Sequence, residues 1–105
     1  MERIRYHKLV RDRIPEIIRA GGGTCTVETL TEDAYLAMLD EKLTEELGEY
    51  QESKSLEELA DLLEVMHAVA KARGSSMAEV EAIRQSKREA RGGFEARLLL
   101  TEVVK

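Results

Sequence analysis

The sequence is poor in residues that staple, break or anchor a fold. Among 105 residues there is one cysteine, Cys25, one proline, Pro15, one phenylalanine and no tryptophan. A lone cysteine excludes an internal disulfide and any CxxC metal motif. No apolar run approaches the ~20 residues of a membrane span. The start, MERIRYHKLVRDR, lacks the apolar stretch of a signal peptide, so the expectation is a cytoplasmic protein without membrane contact. Aromatics are 4% and charged residues 35% of the chain, a balance that leans towards a helical, Ala/Leu/Glu-rich fold. A net charge of −5 argues against general nucleic-acid binding, although a local basic patch can still hold a small anion. The length suits a single domain, residues 1–105. A domain this small buries a modest share of its surface, and self-association into a homodimer or higher homo-oligomer is expected.

What is present is helix signal. Pro15 suits the first turn of a short helix over 15–20, which Gly21–Gly23 end. Thr31, followed by Glu32 and Asp33, starts a long helix running to about Gln51. Ser55-Leu-Glu-Glu58 has capping-box spacing and opens a second, ending near Gly74. Ser76-Met-Ala-Glu79 repeats that signature and opens a third, ending at Gly92-Gly93. Residues 24–30, TCTVETL, and 94–104, FEARLLLTEVV, are rich in β-branched or apolar residues and predict one minor two-stranded β pairing. The fold class read from this is all-α, a helical bundle.

The stretch from Glu45 to Glu64 holds seven glutamates and one aspartate. On the helix over 31–51, Leu36, Leu39, Leu43, Leu47 and Tyr50 form one stripe. Glu46 and Glu49, at i and i+3, share its margin, with Lys42 between them. On the next helix Leu62, Val65, Met66, Val69 and Ala72 define a wide apolar sector, and Glu58 and Asp61 fall in it or on its edge. Glu41, Glu45, Glu52 and Glu57 have the positions of solvated residues. Glu58 has a structural alternative, closing the capping box with Ser55. Asp61 has none, since a mid-helix aspartate finds no cap to make. A short connection makes the two helices antiparallel neighbours, so Glu46, Glu49, Glu58 and Asp61 converge near the turn. Each like-charge pair there repels by roughly 3 kcal/mol at an effective dielectric near 20. A divalent cation removes that penalty, and hard oxygen donors without Cys or His favour Mg²⁺ or Mn²⁺.

Two groups of cations stand as candidate phosphate contacts. Lys87 and Arg91 share a face with Val80 and Ile83 on the third long helix. A lysine there either snorkels its ammonium to water or meets a phosphate. His7, Lys8, Arg11 and Arg13 form a basic arm that either is solvated, pairs with surface acids or binds phosphate.

Glu45-Glu46-Leu-Gly-Glu49 followed by Glu58-Leu-Ala-Asp61 resembles the EExxE…ExxD signature of the all-α nucleotide pyrophosphohydrolases, which include MazG-like enzymes, phosphoribosyl-ATP pyrophosphohydrolase and dimeric dUTP pyrophosphatases. Residues 6–15, YHKLVRDRIP, Lys42-Leu43 and Lys87…Arg91-Gly92-Gly93-Phe94 look like one small MazG-like subgroup, and the likeness spans nearly the whole chain. The resemblance implies the all-α NTP pyrophosphatase fold. It implies Mg²⁺-dependent hydrolysis of a nucleoside triphosphate to monophosphate and pyrophosphate, in nucleotide-pool housekeeping. Glu46, Glu49, Glu58 and Asp61 would hold the metal, Glu45 or Glu49 would take the proton of a water, and Lys8, Arg11, Arg13, Lys42, Lys87 and Arg91 would meet the substrate. Three rivals stand beside this reading. One is the same chemistry on phosphoribosyl-ATP, and another is a non-enzymatic assembly module. The third is a carboxylate-bridged di-iron bundle suggested by Glu64-Val-Met-His67, although such bundles use two ExxH motifs and this chain has one.

Overall fold

Four helices and no strand form among the residues that the computed structural model describes, 3–105. They are α1 (Ile14–Ala20), α2 (Glu32–Ser53), α3 (Leu56–Ala72) and α4 (Met77–Arg91). All three expected N-caps are made. Thr31 Oγ1 accepts from Ala34 N at 3.3 Å, Ser55 Oγ from Glu58 N at 3.2 Å, and Ser76 Oγ from Glu79 N at 3.2 Å. Each satisfies one of the donors that a helix start leaves without a partner.

Lys54 and Ser55 alone separate α2 from α3. Lys54 takes the left-handed conformation, with φ of 60°, and donates its N–H to Tyr50 O at 2.7 Å. This turns the chain back at once, and α2 packs along α3 as the main helix pair. α3 meets α4 more lightly, while α1 makes no close backbone approach to any of the three.

The expected β pairing is absent. Residues 24–30 and 94–105 adopt no regular structure. α4 ends at Gly92 with φ of 84°, and a turn with Arg97 at φ 58° follows, closed by Arg97 N donating to Phe94 O. Residues 98–105 follow with no strand beside them, so their backbone groups have no ladder to join. The helical bundle itself is thin. Leu39, Val65 and Ala70 are its buried apolar residues among those described. The radius of gyration is 18.7 Å, against about 13 Å expected for a compact domain of this length.

The turn generates a stability prediction. Ser55→Ala removes the α3 cap and should cost about 0.5–2 kcal/mol, read as a lower urea midpoint with unchanged slope.

Candidate acidic site at the α2–α3 turn

The tight turn sets the last turns of α2 beside the first turns of α3. There Glu46, Glu58 and Asp61 each offer a carboxylate oxygen, all within 4.8 Å of one another. Glu46 lies deepest, 7% exposed. Its Oε2 is buried without a hydrogen-bond donor, and so is Oε2 of Glu58. The capping-box alternative for Glu58 does not form. Ser55 N–H is taken by Ser53 Oγ at 3.2 Å, which leaves the Glu58 carboxylate facing the other acids.

Glu49 departs from the expected set of four. It is exposed, and its oxygens do not join the 4.8 Å group. Three residues on from Glu46, about 60° round the helix, Glu49 has passed from the margin of the buried stripe to solvent. Glu49 is still close enough to act on Glu46. Burial pushes the Glu46 carboxyl above its ordinary value, Glu49 beside it adds to the rise, and Lys42 opposes it only in part.

Cations border the acids. Lys42 Nζ lies 3.3 Å from Glu45 Oε2 and 3.5 Å from Glu46 Oε1. Lys8 Nζ donates to Glu45 Oε1 at 3.2 Å, and Arg11 Nη2 donates to Asp61 Oδ1 at 2.8 Å. Burial works against the charge on Glu45, but the hydrogen bonds from Lys8 and Lys42 outweigh it and hold its carboxyl below the usual range. Lys8 is raised in turn, first by its hydrogen bond to Glu45 and then by that residue's charge. Among the described residues, these two bonds from Lys8 and Arg11 are the only hydrogen bonds from residues 3–30 to α2, α3 or α4. The basic arm is thus moored on the acidic site.

Other candidates stand elsewhere. Arg13 turns away and pairs with Glu16 at 3.0 Å, so it and Arg11 diverge. Lys87 and Arg91 are exposed on the uncovered half of α4 and make no ion pair among the described residues. Glu64 and His67 are exposed and line a separate cavity of about 400 Å³ with Asp12, Tyr35 and Lys71. They do not join the acidic cluster. Sequence reasoning left the basic arm's docking on Glu45 and Asp61 undetermined. The signal was there in the surplus of acids on α2 and α3, but a coil segment has no periodicity that aims its side chains.

No protein-family profile matches the chain, and no solved structure matches it. A protein of Mycolicibacterium smegmatis (strain ATCC 700084 / mc(2)155), described as an uncharacterized protein, is 60% identical over 42 residues, covering 40% of this chain and 43% of that protein. The similarity therefore spans less than half of the relative's length.

The raised Glu46 carboxyl has a testable consequence for the metal-free chain. A group held above its ordinary value near 4.5 adds stability when protonated. That contribution is complete below the unfolded value and is lost as pH rises through the folded one. At neutral pH the ionised Glu46 is destabilising. Glu46→Gln should therefore melt higher than wild type at pH 7 in chelator, and the gap should close as pH falls through the carboxylate range.

Proposed function

We propose that the chain is a MazG-like nucleoside triphosphate pyrophosphohydrolase of the all-α type, dependent on Mg²⁺ or Mn²⁺ and releasing nucleoside monophosphate and pyrophosphate. The observation that supports it most is the Glu46 carboxylate, buried and with an unpartnered oxygen in a group with Glu58 and Asp61. A buried charged oxygen without a donor is costly, so a fold that keeps one needs something to neutralise it. Carboxylate oxygens alone, with no thiol or imidazole, suit a hard divalent cation. The charge balance agrees. Glu45, Glu46, Glu49, Glu58 and Asp61 face Lys8, Lys42 and Arg11, leaving two negative charges uncompensated.

Glu46, Glu58 and Asp61 would hold the metal, which when bound supplies neutralisation of phosphate oxygens and a more acidic water. Glu49 is the better placed of the two candidate bases. It is exposed beside Glu46 and carries no ion pair among the described residues, whereas Glu45 is held ionised and occupied by Lys8 and Lys42. A carboxylate with depressed proton affinity is the weaker proton acceptor. Lys42 stays with Glu45 and Glu46 as a fixed counter-charge. Lys8 and Arg11 sit on a segment without regular structure and can exchange a carboxylate for a phosphate, Arg11 as a fork and Lys8 as a point charge. Lys87 and Arg91 stand apart from these contacts, so the phosphate role falls first to the residues beside the acids.

The test is a nucleotide panel that includes phosphoribosyl-ATP, run with Mg²⁺ and with Mn²⁺. Turnover should yield pyrophosphate and monophosphate and stop in EDTA. Asp61→Asn should lower kcat by more than ~100-fold, beyond the loss typical of a residue that only supports a ligand, with its circular dichroism unchanged. Glu57→Gln should stay near wild type. Full turnover in chelator, or equal losses in the two variants, contradicts the proposal. Melting that ignores Mg²⁺ and Mn²⁺, together with no turnover of any nucleotide, returns the acids to surface decoration.

A further inference from the structure

The chain carries far more surface than a folded monomer of its mass. Its accessible area is 9623 Å², against about 6,000 Å² for a compact protein of 11.9 kDa. The excess, roughly 3,600 Å² per chain, exceeds both the ~800 Å² that one partner contributes to an interface of standard size and the ~1,000–2,500 Å² that one partner contributes to a typical obligate one.

Large apolar side chains are exposed along much of the chain, and two stretches of them are continuous enough to form a contact. One is the segment after α4. Phe94 is 97% exposed, Leu98 90%, and Leu99, Leu100, Val103 and Val104 are exposed as well. These side chains touch no core of their own. The other is a groove where α2, α3 and α4 meet, about 250 Å³, lined by Leu43, Met66, Val69, Ala70, Met77 and Val80. Its lining carries no charged residue. It continues on α3 as Leu56, Leu59, Leu63 and Met66, exposed at helical spacing along one face.

Tail and groove are complementary in chemistry, yet within one chain they lie apart. The groove is at the start of α4, at Met77 and Val80, whereas the tail leaves from the far end of that helix. A turn at Phe94–Arg97 lies between them. α4 is 15 residues long, about 22 Å at 1.5 Å per residue, and the tail's apolar side chains are exposed rather than packed in the groove.

We propose that residues 98–104 of one copy lie in the α2–α3–α4 groove of a second copy, and reciprocally. Each chain offers both halves of the contact, so two copies satisfy each other and the assembly closes with twofold symmetry. The apolar run from Leu98 to Leu100 covers Met66, Val69, Met77 and Val80, while Arg97 and Glu102 bracket it at the wet rim where charged groups belong. The contact also adds cover to the half-buried start of α4 at Met77 and Val80. The proposal is independent of what the acidic site binds.

Disulfide capture tests it on full-length chains. Cys25→Ser first removes the native thiol. A Leu98→Cys chain and a Met77→Cys chain are then refolded together and oxidised. A cross-linked species of twice the chain mass should form faster than either chain links to itself. A chain carrying both substitutions should also link to twice the chain mass. A link within one chain would show that the tail covers its own groove, and would overturn the proposal. So would the absence of any link from either Leu98→Cys or Leu99→Cys, or a monomeric mass for the wild type by light scattering at micromolar concentration. Met77→Glu puts a carboxylate in the apolar groove and should weaken the dimer at least ~tenfold with helix content unchanged. A dissociation constant equal to wild type in that variant also overturns it.

Discussion

Everything about the acidic site follows from the two-residue connection between α2 and α3. Lys54 in the left-handed region and Ser55 as the next N-cap reverse the chain without a loop. α2 then packs antiparallel on α3, and Leu39 and Val65 are buried. The same reversal forces the C-terminal acids of α2 against the N-terminal acids of α3. Part of the tension is eased at the α3 end, where helix N-terminal amides favour negative charge in the first turn and Glu57 and Glu58 sit. Glu46 has no such help. Its end of α2 carries the negative pole of the helix dipole, and no basic residue lies in that helix's last turn.

The chain relieves this repulsion with its own cations. Lys42 stays one turn back from Glu45 and Glu46, and the basic arm lands on Glu45 and Asp61. Both arm contacts are largely solvent-exposed, and exposed ion pairs contribute little, commonly under about 1 kcal/mol. A weak mooring of this kind is readily exchanged, which is what a residue needs if it is to meet a charged ligand. Lys42 is different in kind. It is half-buried on a helix and spans two carboxylates, so it cannot leave without exposing both.

The scant core and the large bare apolar surface are two sides of one fact. Three long helices cannot wrap an apolar sector as wide as that of α3, and α4 touches α3 only near its own start. Leu59, Leu63 and Met66 on α3, Ile83 on α4 and the leucines of the tail are left without cover. Burial at about 25 cal/mol per Å² makes such exposure expensive in water.

Local chemistry was legible in the residues. The caps at Thr31, Ser55 and Ser76, the three long helices, and the convergence of Glu46, Glu58 and Asp61 follow from side-chain oxygens at helix starts and from 3.6-residue periodicity. Both act over a few residues and need no knowledge of the rest of the chain. The extension of α2 to Ser53 past Gln51 is an ordinary end effect, since helix ends fray and no proline stops it. Tertiary structure decided what depends on partners distant in sequence. It left residues 24–30 and 94–104 unpaired, because a strand exists only beside another strand. It put Glu49 outside the cluster, because the ~60° between i and i+3 on a helix is enough, at the margin of a stripe, to separate a buried carboxylate from an exposed one. It took Glu58 from its cap, because Ser53 Oγ reached Ser55 N–H first. It aimed Arg11 at Asp61, 50 residues away, because a coil segment has no periodicity of its own and goes where the charge is.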